Sequence, residues 1–208
     1  MAGSGRPRHR ARGEERRQEI LRATFEVIAE RGYRGTTLAA VAERAGLTQQ
    51  GLLHYFPTKE ALLVAVLEER DAWDTGGAPA REERHGAERV WPLGNLETLV
   101  EYNAMRPAIV RTFSALLGES VTDDHPARDY FTERYAWARE AFAATLRQEY
   151  GERLPGSGLT PEQAAPLMAA VMDGLQFQWL LDPEAVDMPA SFRRFRALLG
   201  DVPEPGAT

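Results

Sequence analysis

The sequence predicts an all-α protein of about nine helices, on three observations. Apolar residues recur at spacings of three and four from Ile20 to Leu199, the period of one helix face. Residues that start helices (Thr, Asp, Pro) and residues that stop them (Gly) stand at the ends of those stretches. No stretch alternates apolar and polar residues long enough to read as a strand.

The elements follow in order. Residues 1–13, "MAGSGRPRHRARG", hold glycine, proline and four arginines without periodic apolar residues. They read as a disordered basic arm, because they cannot bury enough surface to offset the cost of ordering. Residues 14–31 form an amphipathic helix with Ile20, Leu21, Thr24, Phe25 and Ile28 on one face, ended by Gly32. Thr37 caps a short helix carrying Leu38, Val41, Ala42 and Ala45, and Gly46 stops it. Thr48 caps a third helix. Thr58 caps a fourth through Leu62, Leu63, Val66, Leu67 and Trp73.

The stretch "GGAPAREERHG", residues 76–86, reads as a loop or hinge. A helix from Val90 to Asn103 follows, with Pro92 near its start, then one opened by Pro107 and closed near Gly118. Pro126 opens a long helix with Phe131, Tyr135, Ala138, Phe142 and Thr145. "TPEQ", residues 160–163, has the form of a capping box with proline at the first helical position. The helix it opens runs to Leu181, with a kink expected at Pro166. Asp187 caps the last helix, which carries Phe192, Phe195 and Leu199 and stops at Gly200.

Composition narrows the function classes. At 208 residues and 43% hydrophobic the chain is long and apolar enough to bury a core. The absence of cysteine excludes disulfides, thiolate metal sites and cysteine nucleophiles, and fits a cytoplasmic protein. No apolar run approaches the roughly 20 residues of a membrane span, so no membrane partner is expected. The net charge of −6 is uneven: residues 1–60 hold 11 Lys/Arg against 7 Asp/Glu, and the remainder 14 against 24. A basic start on an acidic body points to a polyanion met by the start alone. The first 13 residues are then either an inert leader or an arm that touches phosphates or a minor groove.

The third helix is uncharged yet polar. Gln49, Gln50 and His54 do not belong in a core, and a merely solvated helix would carry charge. The tight Gly46-Leu47 turn before it has the spacing of a helix-turn-helix, whose second helix points its first residues into a DNA major groove. Amides and an imidazole donate and accept at base edges there. Gly51 lets the backbone approach DNA, at about 1 kcal/mol of helix propensity against alanine. Tyr55 offers a hydroxyl to a phosphate, and Lys59 stands in the first turn of the fourth helix, where free N–H groups also favour an anion.

Residues 20–70 carry a more specific pattern: Gly32-Tyr33, Thr36-Thr37, Val41-Ala42, Ala45-Gly46, His54-Tyr55-Phe56, Lys59-Glu60 and Leu62. This stretch resembles the DNA-binding region of the TetR family, the tetracycline-repressor-like bacterial regulators. The resemblance implies a homodimeric repressor that a small molecule releases from double-stranded DNA, on a pseudo-palindromic operator. Carried onto matching positions, it implies that Thr37, Thr48, Tyr55 and Lys59 contact phosphates and that Gln49, Gln50, Gly51 and His54 read bases. Leu53 stands where the family is usually aromatic, and Gln50-Gly51 replaces a pair of small residues.

The resulting organisation is a basic arm (1–13), a DNA-binding domain (14–60), a connecting helix (61–75) and a ligand-binding and dimerisation domain (76–208). By resemblance residues 160–199 form the dimer interface, where Ala169, Ala170 and Gly174 lie among Leu167, Val171, Leu175 and Gln178, beside Phe192, Phe195 and Leu199. Ordinary intramolecular core is the alternative. Tyr102, Asn103, Phe113, Tyr130, Trp137, Met172, Gln176 and Trp179 mix aromatic bulk with hydrogen-bonding groups, as pockets for an unidentified small-molecule effector do. Such a pocket suits an apolar or aromatic molecule, and its signal is expected to pass through helix four, residues 58–75.

An enzyme is not expected: no Gly-rich phosphate loop, nucleophile elbow, zinc-binding HExxH or dinucleotide fingerprint occurs. No cofactor or metal is implied, since "TDDHP", residues 122–126, reads as a loop before a helix. A helical small-molecule carrier, or an activator without repressor switching, is the competing reading.

Overall fold

Helix formation begins earlier than the apolar pattern requires. The computed structural model describes residues 6–74 and 93–200. Its first helix, α1, runs Arg6–Gly35, so residues 6–13 are helical rather than the disordered arm expected of them. The reason is propagation: once residues 14–31 are helical, each upstream residue adds a hydrogen bond without a new nucleus. Pro7 falls in the first turn, where its missing N–H costs nothing. Residues 1–5, the expected loop at 76–86 and Pro92 lie outside the described residues, as does the side chain of Trp73.

Eight further helices follow among the described residues: α2 Leu38–Arg44, α3 Gln49–Leu53, α4 Lys59–Asp74, α5 Leu93–Ala104, α6 Pro107–Ser120, α7 Arg128–Tyr150, α8 Pro161–Leu181 and α9 Met188–Leu198. No strand occurs among the described residues. Local capping sets most of these boundaries. The hydroxyl oxygens of Thr37 and Thr48 accept the backbone N–H groups of Ala40 and Gly51 at 3.1 and 3.0 Å, and Asp187 accepts that of Ala190 at 2.9 Å. Thr160 and Gln163 form the reciprocal capping box. Gly32 breaks α1 with φ of 67°. At Gly46, φ is 64° and the N–H groups of Gly46 and Leu47 reach back to Glu43 and Ala42. That pair of bonds closes α2 and needs a left-handed residue.

The chain packs as two units. The first holds Met1–Ala78 together with Arg111–Ala127, and the second holds Pro79–Val110 together with Arg128–Thr208. The division is interleaved along the chain, and α6 passes from one unit into the other after Val110. Helix α4, expected to be the bridge, lies wholly within the first unit.

In the first unit Ile20, Leu21, Val27 and Ile28 of α1 are buried with Val41, Leu52, Phe56, Leu62, Leu63, Val66 and Leu67. Phe25 is only half-buried, because Val27 takes the inward position. In the second unit α7 packs on α8, and α9 packs on α5 and α8. Leu96, Val100, Ala138, Phe142, Leu146, Met168, Ala169, Met172 and Phe192 lie in its core. Two expectations for a dimer interface are corrected here. Phe192, Leu199 and Ala169 are buried in the unit's own core, with Leu175 and Phe195 packed against it. On α8 and α9 the exposed large apolar residues are Leu167, Phe177 and Leu181 of α8 and Leu198 of α9. Helix α8 continues through Pro166 from Pro161 to Leu181.

Candidate nucleic-acid interface and effector residues

Helix α3 has five residues, too few to persist alone. It is held by Leu52, fully buried beneath it, and by the caps at its two ends. Burying Leu52 turns Gln49, Gln50 and His54 outward, and all three are exposed. Tyr55, at 38% exposure, follows on the same side of the chain while Phe56 returns to the core. The structure thus brings together on one outer surface the residues expected to read bases.

The two threonine caps retain chemistry for a partner. A hydroxyl has one proton and two lone pairs, and Thr37 and Thr48 use a lone pair to accept a backbone N–H. Their O–H protons stay available to donate to a phosphate. Gly51 has a second role beyond close approach: a Cβ there would lie 3.3 Å from the Thr48 hydroxyl oxygen, crowding the cap. Lys59 is half-buried, its Nζ donating to the Tyr33 carbonyl at 3.1 Å and lying 4.5 Å from the Tyr33 ring centroid. It therefore supports the broken end of α1, with further N–H protons left over.

Several supporting residues carry no sequence signal of this kind. Arg44 at the end of α2 pairs with Glu26 and Glu30 of α1, at 3.0 and 2.5 Å. Arg16 donates to the Ala45 carbonyl at 3.1 Å, and the Arg17 guanidinium lies 5.3 Å from the Phe56 ring centroid. These contacts fix the helix pair on α1.

The eight expected effector residues divide between the two units. Phe113 belongs to the first unit, where the Arg70 guanidinium lies 5.3 Å from its ring centroid, and the other seven belong to the second. Tyr102 is 41% exposed under the Arg106 guanidinium. Asn103 and Tyr130 are buried, the latter edge-on to Phe131. Met172 is part of the second unit's core, and Trp137 and Trp179 pack against it. Gln176 is buried with its Oε1 lacking a hydrogen-bond partner, an acceptor in an apolar setting. Beside it on α8, Asp173 accepts a 2.5 Å bond from the Tyr135 hydroxyl, and burial pushes both groups' pKa values up. Sequence periodicity placed Tyr135 on the packed face of its helix and gave no signal for its bond to Asp173.

Among the described residues no group of three His, Cys, Asp or Glu could hold a metal ion, and no helix is long and apolar enough to cross a membrane. His125 accepts the Ala127 N–H at 3.2 Å through Nδ1, the local loop role its setting implied.

Residues 20–66 match the family described as bacterial regulatory proteins, tetR family, and residues 94–201 match that of the BetI-type transcriptional repressor, C-terminal. The HTH-type transcriptional regulator BetI of Burkholderia ambifaria is 30% identical over 186 residues, covering 86% of this chain and 90% of that protein. Among solved structures, the Thermus thermophilus repressor FadR in complex with lauroyl-CoA has a TM-score of 0.59 at 22% identity, covering 92% of this chain and all of that one. A complex of SmeT with triclosan has a TM-score of 0.62 at 20% identity, covering 93% and 100%. SmeT is the repressor of a Stenotrophomonas maltophilia multidrug efflux pump. The chain therefore belongs to the tetR family of bacterial regulatory proteins, with an N-terminal DNA-binding region and a C-terminal part of the BetI-type transcriptional repressor kind.

Proposed function

We propose that this chain works in the cytoplasm as a homodimer on a pseudo-palindromic operator, and that an apolar or aromatic effector releases it. The outward face of α3 carries the reading: Gln49, Gln50 and His54 are exposed while Leu52 is fully buried. In this reading Gln49, Gln50, Gly51 and His54 read bases, and Thr37, Thr48, Tyr55 and Lys59 contact phosphates. Residues 14–60 form the DNA-binding part and the second unit holds the effector. No catalytic role is assigned to any residue.

The dimer is supported by an uncovered stripe on α8. Leu167, Ala170, Gly174, Phe177 and Leu181 follow a three-four-three-four spacing, and Leu167, Phe177 and Leu181 are 52%, 42% and 85% exposed. That spacing suits a shallow crossing with a second copy of the same helix. The choice of effector class draws on lauroyl-CoA bound by FadR and triclosan bound by SmeT. Aromatic and methionine bulk around the buried Gln176 acceptor fits a largely apolar molecule bearing one hydrogen-bond donor.

The experiment is fluorescence anisotropy with a duplex from the protein's own promoter and a scrambled duplex. Tight binding to the first, weaker binding to the second and a steep loss with salt are expected. Equal binding to both would remove α3 as a reader of sequence.

A further inference from the structure

We propose that α1 supplies a second DNA contact, in which Arg12 and Tyr55 grip a backbone phosphate beside the reading helix. The inference deepens the DNA-binding reading above and rests on it. Its starting point is a solvent-open groove of about 530 Å³ in the first unit, lined by Arg12, Gly13, Glu15, Arg16, Glu19 and Tyr55.

The groove lies beside α3 because α1 touches the chain on either side of that helix. Arg16 donates to the carbonyls of Ala45 and Gly46, at 3.1 and 3.5 Å, just before α3 begins. Arg17 covers Phe56 just after it ends, and Tyr55 lines the groove itself. A DNA strand contacting His54 and Tyr55 therefore meets the groove next.

The charges within the groove divide by role. Arg16 is committed to Glu19 and to the two carbonyls, so that pair is neutral and structural. Arg12 is exposed and makes no ion pair among the described residues. Gly13 beside it has open space where a Cβ would stand. A guanidinium forks onto two phosphate oxygens, and the exposed Tyr55 hydroxyl can donate to the same group. Glu15 is exposed in the same groove and opposes an anion. The helix continues upstream through Arg6, Arg8 and Arg10, so the chain leading into the groove is basic. A duplex suits this arrangement better than a free phosphate, because a free ion has no second contact to hold it against Glu15.

The test is a salt series by anisotropy on the full chain, with cognate and scrambled duplexes and with Arg12→Ala, Arg12→Lys and Glu15→Gln. Each phosphate contact contributes about 0.9 to the slope of log affinity against log salt. Arg12→Ala removes one contact from each subunit of the dimer and should lower that slope by about two contacts, so a fourfold rise in salt costs the wild type roughly 12-fold more than the variant. The loss should be equal on both duplexes, with Arg12→Lys restoring the slope and Glu15→Gln tightening both complexes. Because Arg12 is exposed, melting temperatures should not change. Wild-type binding with an unchanged Arg12→Ala slope, or a loss confined to the cognate duplex, would overturn the inference alone. A wild-type chain that binds neither duplex would overturn the DNA-binding reading and this inference with it.

Discussion

The hydroxyl of Tyr33 donates to Glu119 at 2.5 Å, joining the broken end of α1 to the last turn of α6 across 86 residues of sequence. The Tyr33 carbonyl in turn accepts from Lys59 at the start of α4, so one tyrosine touches three helices of the first unit. Burial and the Glu119 carboxylate both push the Tyr33 pKa up, so the phenol stays protonated and donating at physiological pH. Helix α6 is continuous from Pro107 to Ser120 and its first residues belong to the second unit, so Tyr33 is bonded to a helix assigned in part to each unit.

A switch that runs along α6 should therefore depend on this bond. Tyr33→Phe keeps the ring under Lys59 and removes only the donor. An effector found by thermal-shift screening should weaken wild-type operator binding by about 5–150-fold, a coupling of about 1–3 kcal/mol. Operator should weaken effector binding by the same factor, since the coupling is reciprocal. In Tyr33→Phe the factor should shrink while effector-free operator binding stays near wild type. Calorimetry with and without operator measures it, and an unchanged factor in the variant would exclude this route.

Asp173 predicts a pH effect on stability. Burial raises its pKa above the ordinary value of 3.8, against the Tyr135 hydrogen bond and Arg134, which lower it. The folded chain thus keeps a proton that the unfolded chain releases near pH 3.8, so this group's contribution to stability falls as pH rises through that window. Asp173→Asn removes the charge and keeps an acceptor for Tyr135. The variant should melt above wild type at neutral pH, and the gap should close as the pH falls below the carboxylate range. A gap that widens in acid would reverse the assignment.

What was legible in the sequence was local. Thr37, Thr48, Thr160 and Asp187 cap helices through bonds to residues three positions on, and Gly46 closes α2 within five residues, so short windows reveal them. Helix α8 shows where that stops. It is apolar on two faces: Ala165, Met168, Ala169 and Met172 are buried, and Leu167, Phe177 and Leu181 are not. Periodicity finds both stripes and cannot say which one the chain itself covers. Tyr33–Glu119 and Arg16–Ala45 join residues far apart in sequence through polar side chains that fit any exposed helix. The aromatic effector set meets a related limit. Trp137 and Trp179 were chosen for chemistry, and much of that chemistry serves packing.

The uncovered stripe of α8 gives a prediction about assembly. At Gly174 a Cβ would meet nothing within 4 Å, so the folded subunit tolerates a side chain there. Gly174→Ala should raise helix propensity by about 1 kcal/mol and still weaken the dimer by holding two helices apart. Gly174→Arg should leave the helical circular dichroism intact and abolish the dimer in sedimentation velocity at micromolar concentration. A dimeric Gly174→Arg chain would place the interface elsewhere.

The caps at the head of α3 allow the fold and the DNA contact to be separated in one residue. Thr48 accepts the Gly51 N–H, and its remaining proton is the one proposed to reach a phosphate. Aspartate caps at least as well as threonine, so Thr48→Asp should hold the stability to within a few tenths of a kcal/mol. A carboxylate has no proton to give and repels the phosphate, so binding should fall on cognate and scrambled duplexes alike. Thr48→Ala loses the cap as well and should cost about 1 kcal/mol of stability. Gln50→Ala makes the contrast, since Gln50 is exposed and its loss should leave stability within about 0.5 kcal/mol. It should cost about 1–3 kcal/mol on the cognate duplex, relax the preference at one base position and spare the scrambled duplex. Thermal melts paired with anisotropy on both duplexes separate the three variants. If Thr48→Asp bound DNA as wild type does, Thr48 would be a cap and nothing more.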